Sequence, residues 1–331
     1  MKISKKANML QLMRERQDFV SGQELCESFG ISRTAVWKMI NQLKEDGYQI
    51  EAVTNKGYRL IGEAADIYHK SEIESRIITK QIGKEVYFHE RTGSTNVDAK
   101  QLAEEGADHG TLVVANRQDT GRGRRGRLWQ SPADENIFFS VLLRPEFSPE
   151  KASCLTIVMA LAVARAIEEM TPLRASIKWP NDIVINKKKV CGILTEMSAE
   201  MDYIQYVVIG TGINVNMSII PEEVTQSATS LYLESGHTVG RSLLLAKVLE
   251  CFEEYYHIYC QTLNLQQLKA EYQAHLVSLN AEVRVLDPQA AFNGISRGIT
   301  DQGELLVEKE NGEIVTVYAG EVSVRGVYGY V

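Results

Sequence analysis

Four arginines and three glycines crowd into Gly121-Arg122-Gly123-Arg124-Arg125-Gly126-Arg127-Leu128-Trp129. Glycine lets a backbone fold closely over an anion, and guanidinium forks match carboxylate and phosphate oxygens. A loop for RNA or polyanions in general has the same composition, so the neighbours must decide. Gln118 precedes the loop on a predicted strand, a polar handle at a pocket edge, and Trp129 offers a face to a flat ring. A second group is Lys178-Trp179-Pro180-Asn181-Asp182. Pro180 and Asn181 predict a tight turn, after which Asp182 begins a strand with a carboxylate suited to a metal or an amine. Lys189 opens a strand that buries Ile193, which holds its ammonium at a pocket mouth, while Lys187 and Lys188 read as solvated hairpin residues. A third group is Gly210-Thr211-Gly212-Ile213-Asn214. It lacks the third glycine and following helix of a dinucleotide fingerprint. It reads instead as a strand bent by glycine so that a ligand lies close, with Asn214 placed for a base edge.

These groups need a frame. From Lys84 onward, strand-like runs around residues 86–88, 112–114, 137–143, 177, 183–185, 192–194 and 206–209 surround one long apolar helix from about Pro149 to Met170. Close-spaced strands with short turns predict a mixed, largely antiparallel sheet with helices on one side, hence an α+β fold. Short glycine-punctuated strands at residues 292–299 and 320–325 predict a small β-barrel at the C-terminus.

The first sixty residues read differently. Ser21-Gly22-Gln23-Glu24 is a capping box, with Glu24 reaching back to the helix start. Gly30-Ile31-Ser32 breaks that helix, and Ser32 caps a second one whose Val36, Ile40 and Leu43 form a buried stripe. Its other face offers Arg33, Thr34, Trp37, Lys38 and Asn41. A hairpin follows, turning at Thr54-Asn55-Lys56-Gly57, with Lys56 at its tip near phosphates. Together these predict a winged helix-turn-helix that meets DNA through Ser32, Arg33, Thr34, Trp37, Lys38, Asn41 and Lys56. A helical interaction module with a charged, solvated face is the other reading of the same pattern. Residues from Gly62 to about Lys70 read as a linker into a further capping box, Ser71-Glu72-Ile73-Glu74.

Residues 1–60 carry a net charge of +3 against −7 for the 331-residue whole, so a basic head sits on an acidic body and only the head is suited to DNA. The five cysteines, Cys26, Cys154, Cys191, Cys251 and Cys260, have neither metal nor redox spacing and read as small buried hydrophobes. No histidine pattern for a metal is present. No apolar run is long enough to cross a bilayer and no apolar signal core follows the basic start, so a cytoplasmic address is expected.

Ser94-Thr95-Asn96, the 121–129 loop, Lys178-Trp179-Pro180-Asn181-Asp182, Lys189 with Gly192, and Gly210-Thr211-Gly212-Ile213-Asn214 together resemble the bifunctional biotin–protein ligases and biotin-operon repressors of bacteria, over nearly the whole chain. The resemblance implies biotinyl-5′-adenylate formation from biotin and ATP with Mg²⁺. Biotin then passes to a lysine of a biotin carboxyl carrier protein, typically that of acetyl-CoA carboxylase. It implies biotin contacts from Ser94, Thr95, Asn96, Gln118, Arg122, Gly123, Arg124 and Lys189, catalytic roles for Lys189, Arg124, Lys178 and Asp182, and adenylate contacts from Trp129 and Asn214. It also implies a homodimer promoted by biotinyl-adenylate, binding operator DNA of biotin genes, and an SH3-like C-terminal domain. Expected boundaries are 1–65, 66–276 and 277–331. The glycine- and arginine-rich loop is expected to be mobile without ligand and to order on biotinyl-adenylate. Two rivals stand beside this reading: a lipoate-type ligase, and a non-catalytic regulator whose central domain only senses a small molecule.

Overall fold

The computed structural model describes residues 4–63, 66–126, 129, 131–286, 291–319, 323–326 and 331. The chain opens on a helix that the sequence reading passed over, α1 (Lys5–Arg16), capped by Ser4, whose Oγ accepts from Ala7 N. Its signal is Ala7, Met9, Leu10 and Met13, all buried along one side. The anticipated pair follows as α2 (Gly22–Phe29) and α3 (Arg33–Glu45), capped by Ser21 and Ser32, with Gly30 left-handed between them at φ 59°. Glu24 does not complete the expected box. Its carboxylate accepts from Arg16 of α1 at 2.8 Å, because a full charge partner outcompetes a neutral amide.

The wing is β1 (Tyr48–Val53) paired antiparallel with β2 (Gly57–Glu63). Gly57 has φ 111°, and a Cβ there would lie 2.1 Å from Val20 O, so the bridge that ties the wing to the chain before α2 requires glycine. The expected linker is shorter than read, since β2 runs to Glu63 and residues 66–68 are pinned. Asp66 accepts from Arg241 Nε at 2.7 Å, and Ser242 Oγ donates to Ile67 O. The next helix, α4 (Lys70–Arg76), is capped by His69 rather than Ser71, with Nδ1 accepting from Glu72 N. Glu72, the third residue of that helix, binds Arg14 at 2.6 Å, Arg76 at 2.7 Å and the Tyr48 hydroxyl, which locks the winged helix onto α4.

Seven strands then build the central sheet: β3 (Val86–His89), β4 (Leu112–Ala115), β5 (Asn136–Leu143), β6 (Ser176–Lys178), β7 (Asp182–Ile185), β8 (Lys188–Ala199) and β9 (Ile204–Asn214), in the order β3-β4-β5-β9-β8-β7-β6. All pairs are antiparallel except β3 with β4. The long apolar helix begins later than read. Residues Pro149–Ser153 form a 3₁₀ turn, and α6 is Cys154–Met170. It packs with α8 (Arg241–Thr262) on one face of the sheet. Helices do not keep to that face. A helix between β3 and β4, α5 (Thr95–Glu104), buries Ala99 and Ala103 against Val113, Leu142 and Val208 on the other. Every residue of β5 is buried, so both faces of that strand must be covered.

Two short helices, α7 (Leu231–Ser235) and α9 (Lys269–His275), flank α8. The C-terminal β unit is a five-stranded antiparallel sheet, from β10 (Glu282–Leu286) and β11 (Phe292–Ile299) through β12 (Leu305–Glu308), β13 (Ile314–Val317) and β14 (Ser323–Gly326). Gly320, Glu321 and Val322 of the expected last strand lie outside the described residues. Cys154, Cys191 and Cys251 are buried as expected, but Cys26 is only partly so and Cys260 is exposed.

Candidate active site

Alternation along three adjacent strands leaves one face of the central sheet nearly bare. Lys178, Asp182, Gly192, Gly212 and Phe138 are successive cross-strand partners and share a row. Leu194, Gly210 and Ser140 form the next row. The glycines open a cavity of about 400 Å³ above them. They do not bend β9 as expected. It runs unbroken through Asn214, and what lies close is the chain's own side chains. A Cβ on Gly212 would come 2.7 Å from the Trp129 indole nitrogen, one on Gly192 would meet the same ring at 2.9 Å, and one on Gly210 would meet Asn96 at 2.0 Å.

One end of the cavity is cationic. The hairpin turn between β7 and β8 uses Asn186 and Lys187, both at positive φ; Lys187 is exposed as expected, but Lys188 is half-buried and is the residue that opens β8, so Lys189 is its second residue. The Lys189 ammonium lies 2.6 Å from Asp182 and 5.1 Å from the Trp129 ring centroid. Arg124 stands in a short 3₁₀ turn and donates to Asn181 Oδ1 at 3.1 Å and to the Ala319 carbonyl of the C-terminal sheet. Asn181 in turn donates to Ile193 O, and the buried Trp179 donates to Gly303 O. Loops of the C-terminal β unit are therefore fastened to the turn between β6 and β7, and Val324 of β14 lines the cavity. Arg122, Gly123 and Lys178 also face the cavity, and Arg127 and Leu128 of the arginine loop lie outside the described residues.

The other end is neutral and polar. Ser94 heads α5 without a side-chain capping bond. Gln118 is not on a strand as expected but beyond the end of β4, in an isolated bridge to Thr92. Its Oε1 accepts from Thr95 N at 2.8 Å, and its Nε2 donates to Ser131 Oγ at 3.3 Å. Asn96 lines the same end, with its amide engaged by Ser140 and Glu196. Burial pushes the Glu196 carboxyl up, but Lys100 and Asn96 outweigh it and hold the group below the usual carboxylate range. Asn214 donates to Thr229 O at 3.0 Å, which fixes the side of its amide that carries the nitrogen. Lys189 is anchored through its backbone to the same segment, donating to Ser227 O and accepting from Thr229 N.

Sequence reasoning missed Ser131, Ser140, Glu196 and the 227–229 segment. Ser140 carries a readable signal, a lone hydroxyl inside an apolar strand. Glu196 carries none, since it reads as an ordinary outward strand residue. Of the residues expected to meet DNA, Ser32, Arg33, Thr34, Trp37, Lys38 and Lys56 are exposed, and Asn41 is half-buried. Trp37 is 57% exposed. Among the described residues no group of three His, Cys, Asp or Glu is placed to hold a metal, and no helix is long and apolar enough to cross a membrane.

The biotin/lipoate A/B protein ligase family model matches residues 88–214, an HTH domain model residues 5–59, and a biotin protein ligase C terminal domain model residues 278–325. The chain is 39% identical over 307 residues to the bifunctional ligase/repressor BirA of Bacillus subtilis (strain 168), spanning 92% of this chain and 94% of that protein. It is 35% identical over 238 residues to the biotin–[acetyl-CoA-carboxylase] ligase of Mycobacterium tuberculosis, spanning 70% and 86%. Its fold is similar to the biotin protein ligase of Aquifex aeolicus solved in complex with biotin and ATP, with a TM-score of 0.65 and 34% identity over 73% of this chain and 99% of that one.

Proposed function

The chain belongs to the biotin–protein ligase family, in its bifunctional ligase and repressor form, and from that premise we propose how its residues divide the work. It binds biotin and ATP and joins them as biotinyl-5′-adenylate. A carboxylate oxygen of biotin attacks the α-phosphorus, the bond to the β-phosphate oxygen breaks, and pyrophosphate leaves. The ε-amine of an acceptor lysine then attacks the acyl carbon, the bond to the phosphate oxygen breaks with loss of a proton, and AMP leaves.

The observation that carries the site assignment is its polarity along the sheet. Ser94, Thr95, Asn96 and Gln118 gather at the neutral end, suited to the ureido ring of biotin. Lys189, Lys178 and Arg124 gather at the other, where carboxylate and α-phosphate meet, and Arg122 faces the cavity within the field of Glu196. Negative charge builds on the phosphorus oxygens in the first transition state and on the acyl oxygen and departing phosphate oxygen in the second, and cations already held in place stabilise it without reorganising. Gly123 gives the loop its close approach to the ligand. Trp129, whose indole N–H has no partner among the described residues, and the Asn214 oxygen are assigned to the adenylate.

Asp182 is the one carboxylate among the described cavity residues, and Mg²⁺ that arrives on phosphate asks for one or two such ligands, so this donor set fits MgATP. Bound there, the ion would neutralise phosphate charge; Asp182 otherwise orients Lys189 and can receive the incoming lysine. The acceptor we assign is the biotin carboxyl carrier protein of acetyl-CoA carboxylase. Residues 1–65 form the operator-binding unit, 66–276 the ligase and 277–331 the C-terminal domain. One recognition helix per chain asks for a dimer on a symmetric operator, and biotinyl-adenylate is assigned as its trigger.

Biotin-dependent exchange of radiolabelled pyrophosphate into ATP tests the chemistry, with lipoate as competitor. Exchange that needs biotin and resists lipoate is expected. Absence of exchange in folded protein leaves only ligand sensing, and equal use of lipoate overturns the choice of acid.

A further inference from the structure

Behind the neutral end of the cavity lies a chain of polar groups whose hydrogen-bond directions all follow from one carboxylate. Glu196 accepts from Lys100 Nζ at 2.8 Å and from Asn96 Nδ2 at 2.7 Å, and Asn96 Nδ2 also donates to Leu194 O at 3.3 Å. Both acceptors lie at one end of the Asn96 amide, so its nitrogen must point to them and its oxygen must point away, into the space that Gly210 leaves empty. Ser140 Oγ sits 2.6 Å from that oxygen and 2.8 Å from Thr95 Oγ1. A serine hydroxyl has one proton. The Asn96 oxygen cannot donate, so the Ser140 proton goes to it, and Ser140 presents only lone pairs to Thr95. The Thr95 proton then turns inward, to Ser140 or to Gln118 Oε1 at 3.2 Å, which is itself fixed as an acceptor by Thr95 N.

We propose that Glu196 is a positioning residue for biotin recognition: through Asn96 and Ser140 it holds the Thr95 hydroxyl as an acceptor toward the cavity, fitted to a ureido N–H. The inference rests on the assignment of Thr95 to the biotin ring made above. Glu196 lines no part of the cavity, so it reaches the ligand either through that relay or through the field it shares with Arg122, and only the first route is cut by removing the Ser140 hydroxyl. In a Glu196→Gln protein the new amide can donate to Asn96, whose own amide then turns over and donates to Ser140. The Ser140 proton then points at Thr95, which can no longer donate to Ser140, so its own proton is left to Gln118 Oε1 at 3.2 Å or to the cavity, where it opposes a ureido N–H.

The experiment measures biotin Kd by calorimetry and saturated pyrophosphate-exchange kcat for wild type, Glu196→Gln, Ser140→Ala, the double variant, Lys100→Met and Thr95→Val. Glu196→Gln is expected to weaken biotin roughly five- to tenfold, the scale of one neutral hydrogen bond, with kcat at saturating biotin little changed. Ser140→Ala should weaken it similarly, and the double variant should be no weaker than Ser140→Ala alone, because the relay is already cut. Lys100→Met should bind almost as wild type, since Glu196 still orients Asn96. Wild-type affinity in Glu196→Gln, additive effects in the double variant, or an equal loss in Lys100→Met would each overturn the relay. Wild-type affinity in Thr95→Val would instead overturn the assignment of Thr95 to biotin. Should Glu196→Gln lose its fold, Ser140→Ala, which removes a single oxygen, reads the same relay one link further on.

Discussion

Lys189 occupies the point where three constraints meet: the type of turn before it, the Asp182 carboxylate and the Trp129 face. Its ammonium is held by Asp182 beside Trp129, and on the proposed assignment it is expected to act more on the transition state than on ground-state biotin binding. Lys189→Ala is expected to lower exchange kcat by about 10²-fold or more while biotin Kd changes far less. A folded Lys189→Ala enzyme with wild-type exchange would remove the residue from the catalytic set. Gly212 makes a complementary case. Its missing Cβ is the seat of the Trp129 indole, so Gly212→Ala should drive the ring off the sheet. The expected readout is a shift in tryptophan emission together with weaker adenylate binding. Unchanged emission and affinity would show that the ring is not seated there.

At the scale of elements, α4 has an unusual start. A histidine ring nitrogen can cap a helix only while it is neutral, and burial, against the pull of Asp46 and Glu72, lowers the His69 pKa. Lys6, on α1, adds to that lowering. The sign follows. The folded state resists a proton that the unfolded chain accepts below about pH 6.5, so this contribution to stability is present above that value and declines as the pH falls through it. His69→Asn keeps a capping acceptor that does not titrate. Its unfolding free energy, followed by urea denaturation from pH 7.5 to 5.5, should decline less than that of wild type. His109, held neutral in the same way, declines equally in both and cancels. Identical slopes would show that His69 carries none of the dependence.

Across the whole molecule, the winged helix and the ligase are joined by a buried charge cluster as well as a covalent link. Burial pushes the Glu72 carboxyl up, yet Arg14, the Tyr48 hydroxyl and Arg76 together hold it below the usual range. Glu72→Ala removes the shared acceptor and is expected to cost about 3 kcal/mol of stability, read from denaturant midpoints. A loss within about 0.5 kcal/mol would class the cluster with exposed surface pairs. Deleting residues 1–65 should abolish operator binding in a mobility-shift assay yet leave ligation, with a lower melting temperature. Arg14 and Tyr48 leave Glu72, and Ile67 loses the core it packs into. Operator binding by the truncated chain would contradict the assignment of DNA contact to the winged helix.

Much of this protein is legible residue by residue. Caps at Ser21 and Ser32, the buried stripe of α3, the wing turn and most strand positions follow from local periodicity and turn chemistry, which depend on neighbours within a few residues. The reactive groups were legible too, because four arginines in a loop and Lys-Trp-Pro-Asn-Asp are rare enough in combination to read as chemistry. What local sequence cannot carry is who faces whom across strands. That Gly192 and Gly212 are seats for Trp129, that Asn214 has its amide nitrogen engaged by Thr229, and that His69 rather than Ser71 starts α4 all depend on groups far apart in the chain. Glu24 and Glu72 both belong to serine-led capping-box patterns in the sequence, three residues after Ser21 and one after Ser71. Only the fold gives the first an arginine of the neighbouring helix and the second a buried junction between domains. A side chain's role is set by which partner reaches it with the strongest field, and that partner is chosen by tertiary packing.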